Sequence, residues 1–438
     1  MVEESYTRPP TKVVPCGGPN PWSMMPGVNR LDRRSLLRAA VVGAASIPLA
    51  PLLAACARDR AVQAPGGPTR ANPATLPMHE DLLFQGGAAI ERGATLRVYQ
   101  WREYLADEVI EGFVRRYAAD DVDVRVESFA DMDEALARLR GPDGDFDVFF
   151  PTIDELPRLA DARLLRPLTH HLLPNLPNLW PEFRPDPGPF YDRGVRYSVP
   201  YTVYSSGIAW RTDLVEAEDA REPLELPWNP RYRGRTGFLN QYREAIGFAL
   251  LRAGVTDLNT TDAAAIARAE SALREAVALG ARVTEDGAYH DLPEGRVVAH
   301  QAWSGDILTA LAYEGHDPAA TGRTLAYWWP MDGTGWVGCD LTAICARGKN
   351  PVLAHAFVNH LLDEGVAYRN FLWNGYQPPL EAITRERAFR TYPGLAEMGH
   401  HCAILAPEEF AASQMFHALD PRSDAAWLDA WQGVLAAA

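Results

Sequence analysis

Cysteine is scarce in this chain, with five in 438 residues and no spacing that suits zinc or a redox pair. Cys339 and Cys345 fall at the two ends of one expected strand. At about 3.3 Å per residue that strand holds them too far apart for a disulfide. A Cys345–Cys402 pairing stays open. His400-His401-Cys402 has no second group of ligands nearby, so neither a metal nor a cofactor is expected. Positive charge is also in deficit. The formal net charge is −15, and because residues 1–55 hold six Lys/Arg against three Asp/Glu, the remainder carries −18. That balance argues against nucleic acid or an anionic membrane surface as a partner. There is no Gly-x-Ser-x-Gly elbow, no His-Glu-x-x-His and no internal repeat. A secreted hydrolase is therefore a remote alternative, and no enzymatic activity is expected.

What is present begins with a Pro-rich stretch, residues 1–30, and then Leu31-Asp32-Arg33-Arg34-Ser35-Leu36-Leu37-Arg38. An uncharged run, residues 39–55, follows; it contains Pro48 and Pro51 and ends in Leu53-Ala54-Ala55-Cys56. At 17 residues with two prolines it makes a poor membrane span. A basic start, an apolar run and small residues before a cut make an export signal instead. The pair Arg33-Arg34 suits the twin-arginine route. Leu-Ala-Ala-Cys resembles the bacterial lipobox, which makes Cys56 the lipidated first residue of a membrane-anchored, extracytoplasmic protein. The expected layout is a leader over 1–55 and a flexible Ala/Pro/Gly-rich tether over 56–92.

From Gly93 the pattern is α/β. Residues 95–99 read as a strand, and Val109, Ile110, Phe113, Val114 and Tyr117 give the next helix an apolar stripe. Residues 122–129 alternate as a strand, Met132, Ala135, Leu136 and Leu139 mark a helix, and 146–150 form a short buried strand. Strands are expected at 197–201, 205–210, 236–239, 296–303, 326–329 and 339–345. Helices are expected from Glu244, after Asp262, after Ser304 and from Asn350-Pro351. The loop Gln100-Trp101-Arg102-Glu103-Tyr104 lies at the carboxyl end of the first strand, where ligands bind in open α/β sheets.

The order of motifs resembles the spermidine/putrescine-binding proteins of bacterial ABC importers. It is carried by Val98-Tyr99-Gln100-Trp101-Arg102-Glu103-Tyr104, Phe146-Asp147-Val148-Phe149-Phe150-Pro151-Thr152, Tyr197-Ser198-Val199-Pro200-Tyr201, Arg243-Glu244, Ala302-Trp303-Ser304-Gly305, and Trp329-Pro330 leading to Asp340-Leu341-Thr342-Ala343-Ile344. The resemblance implies an α/β, two-lobed type II periplasmic-binding-protein fold with crossing hinge strands. Lobe 1 is expected over 93–205 and 340–376, and lobe 2 over 206–339 and 377–438. A small cation would lie between the lobes and pass to a membrane permease, with the receptor acting as a monomer. Trp101, Tyr104, Trp303 and Tyr376 match the family's ring walls. Glu244 and Asp340 match its ammonium-binding carboxylates, and Thr152 its hydroxyl contact. Asp154 is either an added carboxylate contact or a helix cap. A buried ammonium needs such partners because leaving it unpaired is very costly, and ring faces attract it further.

Three positions depart from the family. Gln241 stands where a second acidic residue is usual, and Arg102 replaces a small polar residue. Gly338 stands where a Trp is usual, with Trp336 near enough to supply a ring. These changes keep open a different cationic or zwitterionic ligand, such as an amino acid derivative or betaine. A sensor or adhesion role using the same cleft is also open.

Overall fold

The apolar alternation after Gly93 becomes a strand that runs on through Trp101, so the ring expected in a loop is the last residue of β1 (Thr95–Trp101). The computed structural model describes residues 75–129, 132–184, 196–284, 287–311, 322–391, 394–395 and 403–438. Arg33, Arg34, Cys56, Cys402 and the His400-His401 pair lie outside the described residues. Cys339 and Cys345 are both buried. No helix among the described residues is long and apolar enough to cross a membrane.

The strands after β1 are β2 (Asp123–Phe129), β3 (Val148–Phe149), β4 (Leu165–Arg166), β5 (Ser198–Arg211), β6 (Thr236–Leu239), β7 (Arg282–Thr284), β8 (Ala299–Trp303), β9 (Leu325–Trp328) and β10 (Val337–Cys345). The helices are α1 (Asp107–Arg116), α2 (Met132–Arg140), α3 (Leu156–Asp161), α4 (Tyr242–Arg252), α5 (Ala263–Ala278), α6 (Ser304–Leu311), α7 (Pro351–Leu361), α8 (Glu364–Asn374), α9 (Arg385–Thr391), α10 (Pro407–Ala412) and α11 (Pro421–Leu435). Asp107 and Glu108 open α1 and Arg115 and Arg116 close it, which complements the helix dipole. Asp262 accepts from the Ala264 amide to cap α5, Asp363 caps α8, and Asp420 caps α11.

Two parallel sheet halves are joined through one strand. β2, β1 and β3 are parallel in the first half, and β7, β6 and β8 in the second. β5 spans both: Ser198–Ser205 pair with β10, and Ser206–Arg211 pair with β8 and β9. Two separate strands were expected here, over 197–201 and 205–210; instead Thr202, Val203 and Tyr204 continue the pairing with β10. Gly207 is needed within β5 because a Cβ there would lie 2.2 Å from the Trp328 carbonyl. The β5–β10 register slips between Asp340 and Leu341. Such irregularities re-aim side chains, and this one falls on a carboxylate expected in the site.

Two boundaries are corrected. Residues 377–410 were assigned to lobe 2, but Leu380 bridges Leu179, the Trp180 amide donates to Pro379 O (2.9 Å), and Phe410 meets Phe183 at 5.2 Å. Only the last stretch, from about Phe416, packs with the second half, where Trp427, Trp431 and Val434 of α11 join Ile246, Ile266 and Leu273. Residues 75–84, expected to lie in the flexible tether, are docked on the fold. Leu76 is buried, the Tyr197 hydroxyl donates to Pro77 O (2.7 Å), the His79 ring meets Ala160 O (2.8 Å), and Arg166 donates to Leu82 O (2.8 Å). These contacts are non-local, so Ala/Pro composition could not signal them. Tyr197→Phe should cost about 1 kcal/mol in urea unfolding and raise amide exchange in residues 75–84.

Candidate functional site

The carboxyl ends of the parallel strands in both halves face one cleft of about 690 Å³. β1 delivers Trp101 and the loop to Tyr104; β3 delivers Thr152 and Asp154; β6 delivers Gln241 and Glu244; β8 delivers Trp303 and Asp306. β5 and β10 cross beneath them with Tyr204, Gly338 and Asp340. Every ligand-binding residue expected from the sequence lines this cleft.

The first loop is held in an unusual backbone shape. Glu103 has φ 53°, left-handed for a residue that is not glycine. That conformation persists because the loop is fixed on the next carbonyl. Tyr104 O accepts from the Tyr201 hydroxyl (2.6 Å), Asn370 Nδ2 (3.2 Å) and Asn374 Nδ2 (3.0 Å). Trp101 packs on Phe129 with ring centroids 4.6 Å apart. Arg102 is exposed at the rim, with no hydrogen bond or ion pair to any described residue.

Three carboxylates are buried in the cleft, each held by the polar tip of a ring. Asp340 Oδ2 accepts a short hydrogen bond from the Tyr104 hydroxyl. That hydroxyl also meets Thr202 Oγ1 at 2.6 Å, and because its one proton is committed to Asp340, Thr202 donates. Asp340 Oδ1 is buried with no hydrogen-bond partner among the described residues. Glu244 Oε1 accepts from Trp303 Nε1 (3.0 Å) and Oε2 from Trp336 Nε1 (2.7 Å). Asp306 Oδ1 accepts from the Tyr376 hydroxyl (2.8 Å), and Oδ2 from the Trp303 amide (3.4 Å).

Burial pushes the Asp340 carboxyl up to about 7, with Asp154 and Glu244 adding to the effect and the Tyr104 bond opposing it. Burial raises Asp306 to about 7, again against its Tyr376 bond. Glu244 is also raised by burial, partly offset by the nearby Ser206 hydroxyl and then by its two indole donors. Among the described residues none of the three forms an ion pair. The nearest buried cation, Arg243, is spent elsewhere. Its guanidinium donates to His417 O (3.1 Å) and Asn259 Oδ1 (2.8 Å) and lies 4.7 Å from the Phe416 and Trp427 ring centres. The cleft therefore holds three acidic groups whose charged forms lack a counter-charge among the described residues.

Some expected roles change. Trp336 was expected to offer a ring face in place of one at position 338. It is fully buried, packed on Phe248 at 4.4 Å, and gives the cleft an indole N–H on Glu244 instead. Asp154 is half-buried in the first turn of a short 3-10 helix, and its charge acts on both Asp340 and Glu244. The backbone of Thr152 bridges Asp340. Gln241 is the N-cap of α4 but makes no side-chain cap bond. Asp306 and Tyr204 were missed. Asp306 read as an ordinary first-turn acid of α6; its three-residue spacing from Trp303 was the available signal. Tyr204 alternates with Thr202 and Ser206 along β5, which puts all three on one face.

Glycine positions make room for the rings. A Cβ on Gly305 would lie 2.6 Å from the Tyr376 ring, and one on Gly338 would lie 2.1 Å from Tyr204 Cζ.

The family model described as bacterial extracellular solute-binding protein matches residues 115–397. The chain is 29% identical over 297 residues to spermidine/putrescine-binding periplasmic protein 1 of Haemophilus influenzae, covering 67% of this chain and 77% of that one. It is 24% identical over 287 residues to a putrescine/cadaverine-binding protein of Pseudomonas aeruginosa, covering 64% and 78%. Among solved structures, the spermidine/putrescine ABC transporter substrate-binding protein PotD of Streptococcus pneumoniae aligns with TM-score 0.62 at 20% identity, over 78% of this chain and 99% of that one. The Tp0655 (TpPotD) lipoprotein of Treponema pallidum aligns with TM-score 0.63 at 20% identity, over 78% and 99%. At that identity the structural likeness shows the fold, which is the two-lobed type II periplasmic-binding-protein fold expected from the sequence.

Proposed function

The chain belongs to the bacterial extracellular solute-binding protein family, and from that premise we propose that it is the receptor of an ABC importer, binding a polyamine in the cleft and delivering it to a membrane permease. The observation that carries this reading is the set of three buried carboxylates, Asp340, Glu244 and Asp306, none of which forms an ion pair with a described residue. A protein leaves buried charge uncompensated only where something else supplies the partner. Trp101, Trp303 and Tyr376 offer flat faces for the methylenes between ammonium groups. The names of the curated relatives point to the same ligand class. Lobe closure around the ligand would supply the signal to the permease, by no more than the ligand's differential affinity for closed over open. The receptor is read as a binding protein rather than a catalyst, exported by Arg33-Arg34 and anchored through a lipid on Cys56.

Titration of residues 57–438 with putrescine, spermidine and spermine, by calorimetry and thermal shift, tests the ligand class. A polyamine at a hundred times its Kd should stabilise the protein by about 2.7 kcal/mol. A shift with basic amino acids or betaines and none with any polyamine overturns it. That outcome is the second reading, a zwitterion whose carboxylate meets Arg102, and it rests on the unpaired guanidinium at the rim. Anchoring is read separately: a Cys56→Ala protein should leave the membrane fraction.

A further inference from the structure

Four rings follow one another along the cleft wall. Trp303 and Tyr204 have centroids 6.2 Å apart, Tyr204 and Tyr376 6.1 Å, and Tyr376 and Tyr104 5.5 Å, each pair edge-on. Each ring carries one polar tip. Three tips are committed to carboxylates: Trp303 to Glu244, Tyr376 to Asp306 and Tyr104 to Asp340. The fourth, Tyr204 Oη, has no hydrogen bond to any described residue. It lies over Gly338, 2.4 Å from where a Cβ would stand, and both residues line the cleft. The carboxylates of Asp340, Glu244 and Asp154 all act on it, and burial with those charges keeps the phenol protonated. Tyr204 is thus the one ring of this wall free to hydrogen-bond a ligand, and it sits between rings that hold Glu244 and Asp306.

We propose that Tyr204 is a specificity-determining residue that reads an internal nitrogen of the ligand, so that the cleft prefers a triamine over a diamine of the same length. This rests on the polyamine reading above. The ends of the ligand meet the buried carboxylates. An internal secondary ammonium presents two N–H groups, and Tyr204 Oη accepts one of them. A methylene at the same point offers nothing to the hydroxyl and leaves it desolvated without a partner, which disfavours the diamine. The glycine at 338 is part of the device, because any side chain there would displace the ring.

The test compares spermidine with 1,8-diaminooctane, which has the same number of atoms between its terminal nitrogens. Both are titrated calorimetrically into the unaltered protein and into Tyr204→Phe and Gly338→Ala, with melting curves confirming folded protein. Tyr204→Phe should weaken spermidine roughly tenfold and leave 1,8-diaminooctane as tight as before or tighter, because no hydroxyl is then left desolvated without a partner. Gly338→Ala should lose the same preference by moving the ring. A spermidine preference that survives in Tyr204→Phe, or an equal loss for both ligands, overturns the assignment. If the unaltered protein binds neither amine, the polyamine reading itself falls, and that failure is distinct because it needs no variant.

Discussion

Asp340→Asn should weaken cation binding by about thirtyfold or more while leaving the empty protein folded. The substitution keeps the shape and still offers an oxygen to the Tyr104 hydroxyl, so the loop that carries Trp101 keeps its support. What goes is the charge on a group whose second oxygen has no partner among the described residues. Removing one member of a buried, hydrogen-bonded charge pair costs about 2–5 kcal/mol, and each 1.4 kcal/mol is tenfold. The empty protein should gain stability at pH 8, because it no longer keeps a buried carboxylate ionised without a counter-charge. Calorimetry gives the affinity and urea unfolding the stability. Gln241→Ala is the control: an uncharged residue in the same cleft should change affinity by less than tenfold. An Asp340→Asn protein with unchanged affinity would remove Asp340 from the site.

The contrast between these two positions shows what the sequence could and could not reveal. Asp340 was legible from the resemblance, because Trp329-Pro330 leading to Asp340-Leu341-Thr342-Ala343-Ile344 follows the family's motif. Glu244 was legible from the Arg243-Glu244 motif, but its geometry was not: that two indoles, one ending β8 and one just before β10, converge on it depends on packing between β8, β10 and α4. Asp306 was hidden because a first-turn acid is favourable on any helix. Only the fold shows that the end of α6 is buried and that Tyr376, seventy residues on, reaches it. The strands and helices themselves followed local periodicity closely, as in β2, β6 and α5. The exceptions were set by distant partners. β5 is one strand because β10 pairs across its polar middle, and residues 75–84 dock because Tyr197, Ala160 and Arg166 lie ready to receive them. Trp336 shows the same limit in reverse. Its spacing suggested a wall, and the packing of Phe248 and Phe416 around it made it a support for Glu244.

Ligand affinity should rise steeply with pH between 5 and 7 and level off above. Asp340 and Asp306 are each raised to about 7, in both cases chiefly by burial. The groups facing Asp340 are Tyr104, Asp154 and Glu244, and those facing Asp306 are Tyr376, the Trp303 amide and Glu244. In the unfolded chain an Asp titrates near ~3.9. Raised groups favour the protonated folded form, so their contribution to stability is fully present below about pH 4. It is lost as pH climbs through about 7, at about 1.4 kcal/mol per pH unit for each group while it lies between its two pKa values. The empty protein should therefore be less stable at pH 8 than at pH 5. A bound cation reverses the preference, because it stabilises the carboxylates in their charged form. Amines titrate near ~10, so the ligand's ends stay charged across this range and the protein supplies the pH dependence. Binding at pH 6 must then release protons, up to about tenfold in affinity per pH unit for each proton released. Calorimetry at pH 6 in two buffers of different ionisation enthalpy counts them directly, and the count should fall towards zero at pH 8.5. Glu155 also titrates near 7, but its nearest cation is Arg158 at 3.3 Å. Its share of the stability slope should persist with ligand bound, whereas the share from Asp340 and Asp306 should vanish. Affinity that is flat from pH 5 to 8, with no proton release, would mean that the ligand's charge is not met by the buried carboxylates.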